Sequence, residues 1–532
     1  MVAPVYISLS HLSYQFASGL TLWNNLNASF SEPLQALVGI NGIGKSTLGR
    51  LLAGELTPSS GQVFASGRVY YLPQRYPGHD DDPLFKVLGT EHFYRAQTRI
   101  ENGLMQEPDY DVLEHHWDWF TRLKQTSDSL NITFQWDLND TWQQFSGGQQ
   151  SQLLRLAALF QQPDFLILDE PSNHLDRQQK QNLLEWLLAD NGVAKLVITH
   201  DRFLLTHIDV FYELSGNGLF RHTGGLEHYL DGRARRLQNQ QLRLEQMDRQ
   251  LKKQQRALQS AVEKNQRRAA SGKHRAERQD ASKLEVDFNI ESGTKGRSSQ
   301  LHRHQQALAD TQVQRQQRYS EREWRDDIRI ELPDSHLPPG KKVIELNNLV
   351  CGYAGFQTRP ITLELAGPVH LQIQGDNGCG KSTLLHTLRG HLTALSGSIT
   401  CHVQMAYLDQ QLSVLQPEQS SWDNFMRIHP RASPETTGAA LAAVGLKAAK
   451  HDVEVNLLSG SEQLRAAIAA VLMGPETPQL LLLDEPSNHL DLETAETLIS
   501  AINAFAGALI IISHDDHLLA NIRVDQVVHM SL

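Results

Sequence analysis

Cysteine is scarce: there are three in 532 residues, Cys351, Cys379 and Cys401, all in the last third of the chain. Their spacing fits neither a disulfide framework nor a metal knuckle, so they read as small buried side chains. Long apolar runs are missing too. No stretch reaches the roughly 18 to 20 residues needed to span a bilayer, and the opening MVAPVYISLSHLSY has no basic region ahead of an apolar core. These absences argue against a disulfide-stapled secreted module and against an integral membrane protein, and the expectation is a cytoplasmic one. Proline is absent between Pro171 and Pro333, which frees that stretch of the strongest helix breaker.

What is present is ordinary in bulk and uneven in detail. The chain is 40% hydrophobic and 20% charged with a formal net charge of −11, and its mean hydropathy of −0.39 is that of a globular protein. Its length exceeds the roughly 250 to 300 residues at which a single core stops growing, so several domains are expected. Residues 228–330 carry 23 Lys and Arg against 14 Asp and Glu, about +9, which leaves about −20 for the remainder.

An internal repeat organises the rest. GINGIGKST at 39–47 returns as GDNGCGKST at 375–383, and YLPQ ending at Gln74 returns as YLDQ ending at Gln410. FSGGQQ around Ser146 is answered by LSGSEQ around Ser459, LILDEPSNHLD around Glu170 by LLLDEPSNHLD around Glu485, and THD at His200 by SHD at His514. The offset is 336 residues for the first two pairs and 313 to 315 for the last three, so the first copy carries about 23 extra residues. The excess falls within about 78–140, a region with HHWDWF at 115–120 and DDD at 80–82. It is either a small surface subdomain that grips a partner or a longer helical layer.

Each copy runs from strand-like alternation into an apolar strand, a glycine loop and a helix, the context a phosphate-binding loop requires. FLILDE and LLLLDE are continuous apolar runs ending in two carboxylates, the pattern of buried parallel strands. The reading is α/β: two P-loop nucleotide-hydrolase domains at 1–225 and 342–532, with 226–341 between them. Glycines let backbone N–H groups converge on an anion at a helix N-terminus. The candidate phosphate cradles are therefore Gly39, Ile40, Asn41, Gly42, Ile43, Gly44, Lys45, Ser46 and Thr47, and Gly375, Asp376, Asn377, Gly378, Cys379, Gly380, Lys381, Ser382 and Thr383. Lys45 and Lys381 are placed to reach β and γ phosphates, while Ser46, Ser382, Asp169, Asp484, Gln74 and Gln410 offer the hard oxygens that suit Mg2+. Glu170 and Glu485, one residue beyond the strands, are positioned to polarise an attacking water, and His200 and His514 to orient it.

The stretch between the copies reads as two long antiparallel helices. Leu237, Leu244, Leu251 and Leu258 recur at sevenfold spacing, as do Leu301 and Leu308, a seam narrow enough for two helices packed on each other. Residues 233–268 alone would reach about 54 Å at 1.5 Å per residue. The tip, 264–303, carries Lys264, Arg267, Arg268, Lys273, Arg275, Arg278, Lys283, Lys295, Arg297 and Arg303. Such a projecting basic pair suits a phosphate-rich partner bound through counterion release; the bland alternative is a solvated spacer.

These motifs, in this order and twice, resemble an ATP-binding cassette protein, and DEPSNHLD in both copies around a basic helical linker resembles the ABC-F family. The resemblance covers almost the whole chain. It implies a monomer in which two ATPs are sandwiched head to tail. Ser146, Gly147, Gly148 and Gln149 then complete the site of Lys381, and Ser459, Gly460, Ser461 and Glu462 that of Lys45. It also implies that Phe16 and Tyr353 stack on adenine, and that the partner is the ribosome, contacted by the linker near tRNA, in elongation, stalling relief or antibiotic protection. Ser461 stands where the family usually has glycine, which either slows hydrolysis at the Lys45 site or is accommodated. Asp376 departs from the family's usual proline. A separate transporter's ATPase subunit and a DNA-structure-binding ATPase remain the alternatives.

Overall fold

The computed structural model describes residues 5–16, 19, 21–104, 106–173, 175, 177–189, 192–276, 306, 309, 335–353, 355–376, 378–409, 411–446, 448–487, 490 and 492–530. Asn377, Gln410, Arg278, Lys283, Lys295, Arg297 and Arg303 lie outside them. The chain divides into two compact units, one formed by Met1–Leu226 with Asp326–Leu532 and the other by Glu227–Arg325.

In the first unit each copy of the repeat is built on a parallel sheet. The first sheet runs Val69–Leu72, Phe165–Asp169, Ala194–Ile198, Leu34–Val38, Val210–Ser215 and Gly218–Thr223, the last strand antiparallel. The second runs Met405–Asp409, Leu480–Asp484, Ala508–Ile512, His370–Gln374 and Gln526–His529, parallel throughout. Every residue of Phe165–Asp169, Leu480–Asp484 and Ala508–Ile512 is buried. That is why these segments are apolar without alternation: both faces of a parallel sheet are covered. Three-stranded antiparallel sheets, centred on Ile7–Gln15 and Lys342–Val350, supply the strands that alternate in sequence.

A helical layer completes each copy. In the second, Ser421–Ile428 and Pro434–Ala443 pack on Gly460–Leu472 through Phe425, Leu441 and Ile468. In the first, Glu91–Glu101, Glu107–Leu113 and Trp119–Ser129 share one core with Gly147–Phe160, through Leu113, Trp119, Leu123, Leu153 and Leu156. The extra residues of the first copy are thus a longer helical layer with a common core. Arg99 clamps the buried Asp109 across two of its helices. Leu104, Tyr110, Trp117 and Phe120 remain exposed on it.

Among the described residues, most of the second unit belongs to a helix of 52 residues, Gly225–Ala276, about 78 Å long at 1.5 Å per residue. It is longer than the leucine spacing alone suggests, because Gly225 starts it eight residues before Arg233 and no proline interrupts it through Ala276. Leu251 on its seam is buried and Arg267 is exposed.

Candidate active sites

Two glycine loops leave the parallel strands Leu34–Val38 and His370–Gln374 and enter the helices Lys45–Leu52 and Lys381–Leu388. The first loop residue must be glycine for lack of space. A Cβ on Gly39 would lie 2.4 Å from the Leu214 carbonyl oxygen, and one on Gly375 2.4 Å from that of Met530. Lys45 folds back over its loop, donating to the carbonyls of Gly39 at 3.0 Å and Ile40 at 3.1 Å. Lys381 does the same with Gly375 at 2.6 Å and Asp376 at 3.0 Å. Both ammonium groups therefore sit inside the cradle where phosphate oxygens would replace those carbonyls.

Beside the cradles stand the carboxylates. Ser382 Oγ donates to Asp484 Oδ1 at 3.3 Å, and Tyr407 faces the other oxygen, Oδ2, at 3.4 Å. In the first copy Tyr71 donates to Asp169 Oδ2 at 2.6 Å. A serine hydroxyl and a carboxylate this close fit the shell of one Mg2+, which takes few protein ligands and leaves the rest to water and phosphate. Burial, opposed by Ser382 and Tyr407, raises Asp484 above the ordinary range.

Glu170 and Glu485 share an unusual backbone. Their φ angles are +47° and +45°, left-handed values that cost a non-glycine residue about 1–3 kcal/mol. Their amides donate to the carbonyls of Ile198 and Ile512, which tie this turn to the ends of the neighbouring strands. His200 Nε2 lies 3.9 Å from Glu170 Oε1, and His514 Nε2 3.5 Å from Glu485 Oε1. Thr199 donates to Glu170 and the His514 amide to Glu485, both at 3.3 Å. Burial pushes the Glu485 carboxyl up to about 7, with Lys381 and the first copy's Lys180 pulling the other way. Burial, reinforced by Asp169 and opposed by Lys45, raises Glu170 likewise. A cavity of about 320 Å³ opens beside Asp169, Glu170, Gln74 and Gly147, with room for water at the carboxylate.

Ser146 and Ser459 cap the helices Gly147–Phe160 and Gly460–Leu472 through reciprocal bonds with Gln149 and Glu462. The second of these helices starts against the first cradle: a Cβ on Gly460 would lie 3.8 Å from Asn41 Nδ2. Gly148 instead meets Gln179 of its own copy, at 2.1 Å from such a Cβ. Phe16 contacts Tyr14, which adjoins Trp23, and Trp23 lies against Gly44. Tyr353 contacts Phe356, whose ring lies against Gly380. Both exposed aromatics thus belong to walls that reach the loops. Sequence reasoning missed Tyr71, Tyr407, Trp23 and Phe356, although the two tyrosines already stood at the head of YLPQ and YLDQ.

Two phosphate loops on parallel sheets, each with a strand-end carboxylate pair and a histidine, define a tandem P-loop nucleotide hydrolase. The sequence profile described as ABC transporter matches residues 24–173 and 358–488, and an AAA domain profile matches 459–520. The chain is 28% identical over 504 residues to the ATP-binding protein YheS of Escherichia coli K12, covering 92% of this chain and 73% of that one. It is 28% identical over 518 residues to the energy-dependent translational throttle protein EttA of Mycobacterium tuberculosis, covering 90% and 83%. Among solved structures, an archaeal ribosome recycling factor, aABCE1, shares the fold at a TM-score of 0.56 and 19% identity, covering 98% and 87%. RNase-L inhibitor shares it at 0.58 and 19%, with the same coverage. The chain belongs to the ABC transporter family, is of the ABC-F type with two cassettes in tandem, and hydrolyses ATP. Among the described residues no helix is long and apolar enough to cross a membrane.

Proposed function

We propose that this protein is an ATP-gated factor that binds ribosomes in the cytoplasm and acts in translation, relieving stalled or difficult elongation or protecting against an antibiotic. The observation that carries it is the pairing of a 52-residue helix, in a segment of about +9 charge, with two ATP sites on a chain whose other parts are acidic. A rod of that charge suits ribosomal RNA, with affinity that falls steeply as salt displaces its phosphate contacts. The name of EttA, a translational throttle, supports the same reading.

In this reading the chain is a monomer whose cassettes close on two ATPs and open on hydrolysis, and the linker passes that change to its partner. Ser46, Ser382, Asp169, Asp484 and Gln74 hold Mg2+, which when bound neutralises phosphate charge. Lys45 and Lys381 hold the phosphates, Glu170 and Glu485 orient and polarise water, and Phe16 and Tyr353 stack on adenine. Ser459, Gly460, Ser461 and Glu462 complete the Lys45 site, with Gly460 beside Asn41 in support.

Ribosome co-sedimentation of the Glu170→Gln, Glu485→Gln double variant tests the proposal. Binding to 70S particles should need ATP, weaken with salt and vanish when residues 264–303 are deleted. No association under trapped-ATP conditions, or preferential competition by branched DNA, would overturn it.

A further inference from the structure

In each cassette a buried tyrosine is wedged between the P-loop helix and the strand that ends in the metal-site aspartate. Tyr71 pairs in register with Ile167, two residues before Asp169, so its side chain shares a sheet face with that carboxylate. Tyr407 pairs with Leu482, two before Asp484, in the same relation. Phenol and carboxylate are thus diagonal neighbours on adjacent strands, within reach of a long side chain. The Tyr71 ring also lies 3.0 Å from where a Cβ on Gly49 would be, and the Tyr407 ring carries the Arg389 guanidinium 4.7 Å from its centroid. Both rings are thereby held from the helix side as well.

The division of oxygens is what gives the contact meaning. Asp484 turns Oδ1 toward Ser382 and Oδ2 toward Tyr407. Asp169 likewise gives Oδ2 to Tyr71, at 2.6 Å. In the second cassette the tyrosine on Oδ2 leaves Oδ1 to the P-loop serine, and in both cassettes the phenol fixes the carboxylate plane. Groups that orient metal-binding carboxylates in this way are worth about 10–100-fold in metal affinity.

We propose that Tyr71 and Tyr407 are positioning residues that orient Asp169 and Asp484 for the divalent cation and so set the metal affinity of each ATP site. The proposal rests on reading those aspartates as metal ligands. Tyr71, with the shorter bond, has the larger effect. Each tyrosine also stands three residues before its glutamine, Gln74 or Gln410.

The test is Mn2+ binding by electron paramagnetic resonance, on the full chain carrying Glu170→Gln and Glu485→Gln, with ATP present. Tyr71→Phe should raise the half-saturating Mn2+ about 10-fold at one of two sites, and Tyr407→Phe should raise it less. Binding of a fluorescent ATP analogue in EDTA should stay unchanged for both, which a merely structural role would not allow. Asp169→Asn serves as the reference. If it weakens Mn2+ binding and Tyr71→Phe does not, the proposal falls while the ligand reading stands. If Asp169→Asn leaves Mn2+ binding unchanged, the ligand reading falls and the proposal with it. Loss of metal-free ATP binding in both phenylalanine variants would also overturn it.

Discussion

The two glutamates that follow the buried strands are held where a carboxylate is uncomfortable. Their φ angles of +47° and +45° and their burial both cost stability, and the same burial lifts Glu485 to about 7. The neutral form prevails below that pH and the ionised form, which alone accepts a proton from water, above it. In a Glu170→Gln variant, where Glu485 works alone, kcat/KM for ATP should therefore rise with pH through an acid limb near about 7. A limb in the ordinary carboxylate range would show that the free enzyme does not bury Glu485. The linkage has the opposite sign for folding: the raised carboxyl makes the nucleotide-free protein lose stability as pH climbs from the ordinary value toward 7. Ser461, in the family's usual glycine position, bears on the other site. Single-turnover hydrolysis should be slower in Glu485→Gln, which leaves the Lys45 site, than in Glu170→Gln; equal rates would mean the serine is accommodated.

At the scale of elements, the signature helices show how a polar start is made rigid. Ser459 accepts from the Glu462 amide and the Glu462 carboxylate accepts from the Ser459 amide, with Lys450 3.3 Å from that carboxylate. Those bonds and Lys450 outweigh burial and hold Glu462 below its ordinary value. Ser459→Ala should cost about 1 kcal/mol of stability, as loss of an N-cap does. Because this helix begins beside Asn41, the same change should also raise the KM for ATP at the Lys45 site. Calorimetric melting with steady-state kinetics checks both. A lower melting temperature with KM unchanged would make the cap structural only.

The whole molecule has a contact that the repeat does not duplicate. Arg202, two residues after His200, donates to Glu496 of the second cassette at 2.7 Å and also reaches His517. The matching positions, Asp516 and Gln181, offer no such pair of charges. With Glu496 half exposed, the pair is worth about 0.5–1 kcal/mol and weakens with salt. Arg202→Glu or Glu496→Arg alone should widen the distance between fluorophores placed on the two cassettes without nucleotide, and the double exchange should restore it. An unaltered distance in both single variants would show that the clasp holds nothing.

Contiguous chemistry is what the chain spelled out by itself. Phosphate loops, buried strands and strand-end carboxylates are local patterns, since an anion cradle needs its amides adjacent and a covered parallel strand needs every residue apolar. The repeat then doubled each inference, and with it the two-sheet architecture. Pairings between distant residues depended on the folded chain. Tyr71 meets Asp169 across 98 residues and Arg202 meets Glu496 across 294, because crossover connections and cassette packing choose those neighbours. The left-handed turn at Glu170 and Glu485 is likewise invisible in composition, since nothing about glutamate favours it. The sheet behind it, through the carbonyls of Ile198 and Ile512, holds it there.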